Sequence, residues 1–385
     1  MDDSPRGQRV FVHIGAPKTG TTFIQAVLWA NRRRLSRAGF LYPYRRPAEH
    51  FGAMLDLRQL SWGGHADAKH RRGQWDAVAR RAQEWGGHTV LLTNEILGGA
   101  TPGQIRRLVR SVAPAEVHVV FTARDFARQL VSDWQEHVKH QHAVQLERFV
   151  DDLVERGLDA PAPFGQMFWG LHDPAHVLPR WAAAVSPARV HLITVPQPGA
   201  PATTLWERFC TAVDLPPGLC SLDVERANES LGLAEAELLR RVNAAMVPIP
   251  AHHYDALVRR QLVGVLAGRS PRPVVPPARL PQVIERSERI IADLSRRGYR
   301  VIGDLDELRP VPELHAGYVP SHRVDADTML GSAVLGMATA LDLAARQRDR
   351  ARRSRTEAGL APRAMGALRR VSAASRRRWR VVRGR

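Results

Sequence analysis

The residues from His13 to Gln25, HIGAPKTGTTFIQ, have the composition of a loop that binds phosphate groups. Gly15 and Gly20 have the spacing of the two glycines of a Walker loop, G-x-x-x-x-G-K-[ST]. The lysine of a Walker loop directly follows the second glycine, whereas Lys18 lies two residues before Gly20. A lysine in mid-loop cannot take the usual place beside the β- and γ-phosphates. The stretch therefore predicts an anion site that differs from that of a nucleoside triphosphatase.

Backbone chemistry explains why such a loop binds an anion. A glycine-flanked turn between a strand and a helix directs its N–H groups at the ligand, and the helix N-terminus adds partial positive charge. We expect Gly20 to permit close approach of the backbone, and the adjacent threonine hydroxyls to donate hydrogen bonds. The candidate anion-binding loop comprises Pro17, Lys18, Thr19, Gly20, Thr21 and Thr22.

Two more charged residues end predicted strands. Glu95 closes the run TVLLTNE, and Arg124 closes the run VHVVFTAR. Because ligands of open parallel sheets bind outside the carboxyl ends of the strands, Lys18, Glu95 and Arg124 are expected to face one crevice. A surface salt-bridge cluster is the alternative interpretation.

The residues after Arg124 repeat at helical spacing. Arg124, Arg128 and Ser132 are spaced i, i+4 and i+8, so they are expected to lie along one helix face. Guanidinium forks and a hydroxyl on that face would bind a dianion. The alternative is a solvated polar stripe.

The elements that must position these residues follow from the apolar pattern. Short β-branched and aromatic runs alternate with stretches of helical spacing, which predicts parallel strands joined by right-handed crossovers. The expected fold class is α/β, with a three-layer, P-loop-like parallel sheet flanked by helices and with helical C-terminal additions. Strands are predicted at 9–15, 39–43, 89–95, 117–124 and 190–196, and helices at 21–38, 50–60, 74–85, 101–112, 125–139 and 203–213, with 230–300 mostly helical.

Charge and composition divide the chain further. Of the net charge of +18, the segment 346–385 carries +13, with 15 Arg and two acidic residues. We predict an α/β domain over 1–310, a connector and amphipathic helix over 311–345, and a basic, disordered or partly helical tail over 346–385. No run of 18 or more apolar residues occurs, so no transmembrane helix is expected. Cys210 and Cys220 are expected to be ordinary thiols in a reducing cytoplasm.

The paired motifs resemble those of a known family. PKTGTT after a strand, together with Arg124 and Ser132 eight residues later, resembles the donor site of sulfotransferases that use 3′-phosphoadenylyl sulfate (PAPS). In that family the first motif holds the 5′-phosphosulfate and the second holds the 3′-phosphate. The segments 226–243 and 299–310 also resemble actinobacterial sulfotransferase-family proteins, and the resemblance covers roughly residues 9–310.

The resemblance implies sulfuryl transfer from PAPS to a hydroxyl or amine, with no metal. Lys18 would stabilise the leaving phosphate. Glu95, 29 residues before Arg124, stands where the heparan-type branch has its catalytic base, with His50 or His137 as the next candidates. Arg226, Asn228 and Ser230 would close over the 3′-phosphate or adenine, or else form a helix cap with a solvated arginine.

Two other function classes remain as alternatives. A P-loop kinase or nucleoside triphosphatase is favoured only by the glycine spacing, since the Walker order and a clear metal-binding acid are missing. A non-catalytic protein that binds nucleic acid or membrane would account for the charge, but most of that charge lies in the tail. The acceptor stays open among a small molecule, a glycan and a lipid-linked group, and no specific nucleic acid is expected. The protein is expected in the cytoplasm, with the tail drawn to the anionic inner face of the membrane.

Overall fold

The computed structural model describes residues 7–60, 72–224 and 230–352. Six strands form one sheet in the order β2-β3-β1-β4-β5-β6, and every neighbouring pair is parallel. The predicted α/β class, a parallel sheet flanked by helices, is confirmed, and all five predicted strands are present. The strands are β1 Arg9–His13, β2 Phe40–Leu41, β3 Thr89–Thr93, β4 Glu116–Ala123, β5 Val190–Thr194 and β6 Arg300–Ile302.

The sixth strand was not predicted. β6 has only three residues and pairs on one side only, with β5, so its first residue is exposed and it lacks the long apolar run of a central strand. Its addition shows that the α/β domain continues through residue 302 after the largely helical region.

Helices account for most of the remaining described residues. The predicted helix over 21–38 is divided at Asn31, whose side-chain amide exchanges two hydrogen bonds with the backbone of Ser221. Three helices between residues 146 and 185 were not predicted. The helices are α1 Thr21–Ala30, α2 Arg32–Arg37, α3 Glu49–Arg58, α4 Gln74–Gln83, α5 Pro102–Ser111, α6 Phe126–Val138, α7 Leu146–Arg156, α8 Phe164–His172, α9 Pro174–Val185, α10 Thr204–Val213, α11 Leu233–Ala245, α12 Ala251–Tyr254, the π-helix Asp255–Leu262, α13 Val263–Leu266, α14 Leu280–Leu294 and α15 Ala326–Arg352.

The central position of β1 places the candidate residues side by side. β1 lies between β3 and β4, with Val12 in register with Leu92 and Val119. All three of these side chains are buried, as expected for strands covered on both faces. The segments that leave β1, β3 and β4 therefore emerge next to one another at the same edge of the sheet.

Internal contacts divide the chain into two compact units, Met1–Met329 and Leu330–Arg385. Within the first unit, the predicted connector after residue 310 contacts α7, because Tyr318 and Ser321 donate hydrogen bonds to the Glu147 carboxylate. The domain boundary at residue 310 stays a prediction.

The helix α15 differs from the expectation that the chain has no membrane span. It is 27 residues long with a mean hydropathy of 1.4 over its most apolar window, enough to cross a membrane by length and composition alone. The sequence expectation required an unbroken apolar run, which Asp342 interrupts. A single helix of this kind is weak evidence, because core helices of soluble proteins pass the same test.

Candidate active site

A cavity of about 1720 Å³ lies at the carboxyl edge of the sheet, beside the segments that leave β1, β3 and β4. It brings together most of the residues singled out in the sequence. Thr19 is not on its wall, and Arg226 and Asn228 lie outside the described residues. The predicted residues on the wall are Pro17, Lys18, Gly20, Thr21, Thr22, Glu95, Arg124, Ser132 and Ser230.

Two glycines shape the loop between β1 and α1. Gly15 has a φ of +114°, and a Cβ atom there would lie 3.3 Å from both Cα and O of Glu95. Gly20, with a φ of +92°, precedes the first residue of α1, and a Cβ there would lie 2.3 Å from the side chain of Leu205. The two glycines thus let the loop approach Glu95 and α10 more closely than any other residue would allow.

The Thr19 side chain holds the loop rather than facing the cavity. Its hydroxyl donates to the carbonyl oxygen of Ala16 at 2.6 Å and lies 2.5 Å from the hydroxyl oxygen of Thr122 in β4. Thr122 donates in turn to the carbonyl oxygen of Gly15 at 3.0 Å. Thr19 is 2% exposed, and its hydroxyl is engaged within the protein rather than available to a ligand.

Lys18 has a carboxylate partner that the sequence did not suggest. Its Nζ atom lies 2.5 Å from Oε2 of Glu136 on α6, and its backbone has a φ of +62°. The ion pair of Lys18 is thus with Glu136 and not with Glu95. Burial would raise the pKa of Glu136, but the charge of Lys18 and a hydrogen bond from His140 lower it well below its usual value. An anion that binds Lys18 must therefore compete with an ionised carboxylate.

Glu95 is the first residue of a short helical turn, Glu95–Gly99, that follows β3. Asn94 caps this turn by accepting a hydrogen bond from the backbone N–H of Ile96. Oε2 of Glu95 accepts a hydrogen bond from Nε2 of Gln25 on α1 at 3.1 Å. Within the described part of the chain no hydrogen bond reaches Oε1, so this oxygen is the one that could accept a proton from a ligand in the cavity.

The histidines considered as alternative bases are placed differently. His50 is not on the cavity wall, and burial lowers its pKa to about 4. Its Nδ1 atom lies 2.9 Å from the side-chain amide of Asn94, so it helps to orient the Glu95 turn. His137 does line the cavity, with Nε2 3.3 Å from Oδ2 of Asp133.

Arg124 carries a charge that has no counter-ion at contact distance among the described residues. Nε donates to Oε1 of Gln129 at 3.1 Å and Nη2 donates to the carbonyl oxygen of Arg128 at 2.9 Å. Among residues 7–60, 72–224 and 230–352, no carboxylate forms an ion pair with it. Removal from water lowers the pKa of Arg124 to about 10, which still leaves it charged at neutral pH. A cation in a cavity wall without a carboxylate partner favours an anionic ligand.

Arg128, unlike Arg124, does not line the cavity. It pairs with Asp125 and donates to the carbonyl oxygen of Pro196. Lys139, at the end of α6, is 7% exposed, lies 3.9 Å from Glu136 and also lies off the wall. Of the proposed i, i+4, i+8 set, only Arg124 and Ser132 therefore reach the cavity.

Gln129 joins the two motifs, and sequence reasoning missed it. Its buried amide donates to the carbonyl oxygen of Pro17 at 2.9 Å and accepts from Arg124, so one side chain touches both halves of the site. Nε2 also lies 2.7 Å from Nδ1 of His172, whose Nε2 lies 3.3 Å from Asp133. The sequence did contain a signal for Gln129. Four polar residues recur at helical spacing on α6, namely Gln129, Ser132, Asp133 and Glu136.

Gln129→Leu is expected to weaken binding of adenosine 3′,5′-bisphosphate about tenfold, the scale of one to two lost buried hydrogen bonds. The reason is that Arg124 and the loop lose their common anchor. Calorimetry on the variant measures the affinity, and thermal melting checks that it folds. The control is Gln145→Leu at an exposed position before α7. Equal affinity in the wild type and Gln129→Leu would mean that Gln129 only fills space.

Comparison with known proteins adds one similarity of fold. No protein-family model matches the chain, and no curated protein sequence matches it significantly. A solved structure, a sulfotransferase from Alicyclobacillus acidocaldarius, is similar to the chain with 16% sequence identity and a TM-score of 0.39, covering 66% of this chain and 97% of that chain. At this identity and TM-score we draw nothing about the reaction from the similarity, and the functional proposal depends on the cavity and its residues.

Proposed function

We propose that the protein is a sulfotransferase that moves the sulfuryl group of PAPS to a hydroxyl or amine. One observation carries the proposal. The glycine-bounded loop with Lys18 and the strand-end residue Arg124 line the same cavity, and Arg124 forms no ion pair among the described residues. The two halves of a PAPS-type motif pair thus line one cavity. Glu95, which follows the neighbouring strand β3, lines the same cavity.

The donor would bind with its two phosphate groups on the two motifs. The backbone N–H groups of the loop and the hydroxyls of Thr21 and Thr22 suit the 5′-phosphosulfate. Arg124 and Ser132 suit the 3′-phosphate, and Ser230 adds a hydroxyl on the same wall. Arg226 and Asn228 keep their proposed role near the adenine or 3′-phosphate as a prediction.

The chemical step is an in-line displacement at sulfur. The acceptor oxygen or nitrogen forms a bond to sulfur while the bond from sulfur to the bridging phosphate oxygen breaks. Oε1 of Glu95 takes the acceptor proton, and adenosine 3′,5′-bisphosphate leaves. Lys18 exchanges Glu136 for the bridging oxygen, where negative charge grows as the bond breaks, and this electrostatic assistance needs no metal.

The proposal is tested by incubating the full-length protein with PAPS labelled in the sulfuryl group and with extract, then identifying labelled products by mass spectrometry. Transfer that persists in EDTA supports it. The kinase alternative predicts the reverse pattern, namely transfer of label from the γ-phosphate of ATP that EDTA abolishes. Absence of any labelled product with PAPS, together with no binding of adenosine 3′,5′-bisphosphate, would contradict the proposal.

We also propose that the C-terminal unit attaches the enzyme to the cytoplasmic face of an anionic membrane. In this unit Leu330, Val334, Met337 and Leu341 recur at helical spacing on α15 and are 57–67% exposed. The sequence continues into the Arg-rich segment 346–385. An exposed apolar stripe next to basic residues suits an interfacial helix on anionic lipid, where each basic residue contributes about 1 kcal/mol. Such a position would favour lipid-linked acceptors.

A chain that ends at Leu343 is expected to lose flotation with vesicles containing phosphatidylserine while keeping its affinity for adenosine 3′,5′-bisphosphate. The shortened chain lacks the basic segment, so the electrostatic part of the attraction is gone. Flotation of the full-length protein should fall with salt, and carbonate extraction should release it if α15 lies on the bilayer rather than across it. Equal flotation of both chains would rule out the basic segment as the anchor.

A further inference from the structure

Two arginines beside the Glu95 turn have no role in the donor site proposed above. Arg58, at the end of α3, donates to the carbonyl oxygens of Ile96 and Gly99, each at 2.5 Å. Arg180, on α9, donates to the carbonyl oxygen of Gly98 at 2.8 Å. Both guanidinium groups line the main cavity. Two positive charges therefore contact the backbone of the short helical turn whose first residue is Glu95.

Backbone carbonyl dipoles do not neutralise these charges. Within the described ranges neither arginine forms an ion pair, and the buried Nε–H group of each has no hydrogen-bond partner. Burial, and then the charge of Arg180, lowers the pKa of Arg58. Nη1 of Arg180 lies 2.8 Å from Nε2 of His176, whose own pKa is lowered by burial and by Arg180, so this neighbour is a neutral acceptor.

The carboxylates on the cavity wall are engaged elsewhere. Glu49 pairs with Arg81 at 2.6 Å, Glu136 with Lys18 at 2.5 Å, and Asp255 with Arg259 at 2.9 Å. Asp133 lies between two histidines, and Glu95 accepts from Gln25. None of these acids forms an ion pair with either arginine, so a ligand in the cavity could supply a negative charge in contact with them.

We propose that Arg58 and Arg180 form an oxyanion subsite of the acceptor pocket, so that the acceptor carries a carboxylate, phosphate or sulfate close to the hydroxyl or amine that is modified. This inference rests on the proposed function, since it takes Glu95 as the residue that faces the reacting group. The remaining N–H groups of the two guanidiniums supply donors in the planar geometry that suits such an oxyanion. The subsite would select anionic acceptors over neutral ones of the same size.

The test compares glucuronate and glucose 6-phosphate, which carry a carboxylate and a phosphate, with neutral glucose. Binding of each probe to the full-length protein is measured by calorimetry, with and without saturating adenosine 3′,5′-bisphosphate. At least one anionic sugar is expected to bind about tenfold more tightly than glucose, and Arg58→Gln and Arg180→Gln should each remove most of that difference. Arg106→Gln, at an exposed position on α5, makes the same charge change and should leave it intact.

The outcomes separate this inference from the proposed function. Failure of adenosine 3′,5′-bisphosphate to bind would contradict the proposed donor site. The sugar titrations without this ligand would still test whether Arg58 and Arg180 bind an oxyanion. The subsite would be overturned if neither anionic sugar bound more tightly than glucose. It would also be overturned if the preference for an anionic sugar survived both Arg58→Gln and Arg180→Gln, or if Arg106→Gln removed that preference equally. If Arg58→Gln melts before it can be titrated, Arg180→Gln, which loses a single backbone contact, decides alone.

Discussion

Glu95→Gln is expected to lower turnover by about 10²–10⁴-fold, the range lost with a general base, while donor affinity changes little. The amide keeps the shape of the carboxylate and can still accept the hydrogen bond from Gln25, so the turn after β3 should not move. It cannot take a proton from the acceptor. Single-turnover transfer from labelled PAPS measures the chemical step, and calorimetry with adenosine 3′,5′-bisphosphate measures the donor site separately.

The matched control is Glu84→Gln, which removes the same charge at an exposed position beyond α4. Its turnover should equal that of the wild type. Turnover within a few fold of wild type in Glu95→Gln would mean that the base is elsewhere. His137 would then be the next candidate, because it lines the cavity, whereas His50 is half-buried and off the wall, with a pKa lowered to about 4.

The sequence predicted those parts of the fold that depend on short-range pattern. The central strands are short segments rich in β-branched, aliphatic and aromatic residues. Their approximate bounds, and the edge of the sheet at which Lys18, Glu95 and Arg124 emerge, could therefore be inferred. β6 could not be predicted, because a three-residue strand at the edge of a sheet is too short to show a recognisable apolar periodicity. The helices between 146 and 185 were missed because Gly157 and several prolines interrupt their spacing.

The contacts within the site were less predictable than its members. Lys18 and Glu136 are 118 residues apart, and their ion pair depends on how α6 lies against the loop after β1. Arg58 and Arg180 meet at the Glu95 turn from α3 and α9, although neither belongs to a recognisable motif. Long-range charge pairing follows from tertiary packing, and one sequence without its relatives carries no direct signal for it. A local sequence signal was present on one face of α6, where Gln129 and Glu136 flank Ser132 at helical spacing.

Arg124→Ala is expected to weaken binding of adenosine 3′,5′-bisphosphate by about 2–4 kcal/mol, the scale for removing one partner of a buried charge pair. Within the described residues no carboxylate pairs with Arg124, so the substitution leaves no acid unpaired and its effect should report on the ligand. Arg124→Lys should recover only part of the loss, because an ammonium keeps the charge but cannot present the planar fork to a phosphate. Calorimetry at fixed ionic strength gives both values.

Arg128→Ala provides the control from the same segment. Arg128 pairs with Asp125 and lies off the cavity wall, so its removal should change ligand affinity much less than the removal of Arg124. A second comparison uses adenosine 5′-phosphate, which lacks the 3′-phosphate. If Arg124 contacts that group, the wild type should bind this analogue more weakly, and Arg124→Ala should bind both ligands alike. Unchanged affinity for the bisphosphate in Arg124→Ala, or an undiminished preference for it over the analogue, would remove the 3′-phosphate assignment.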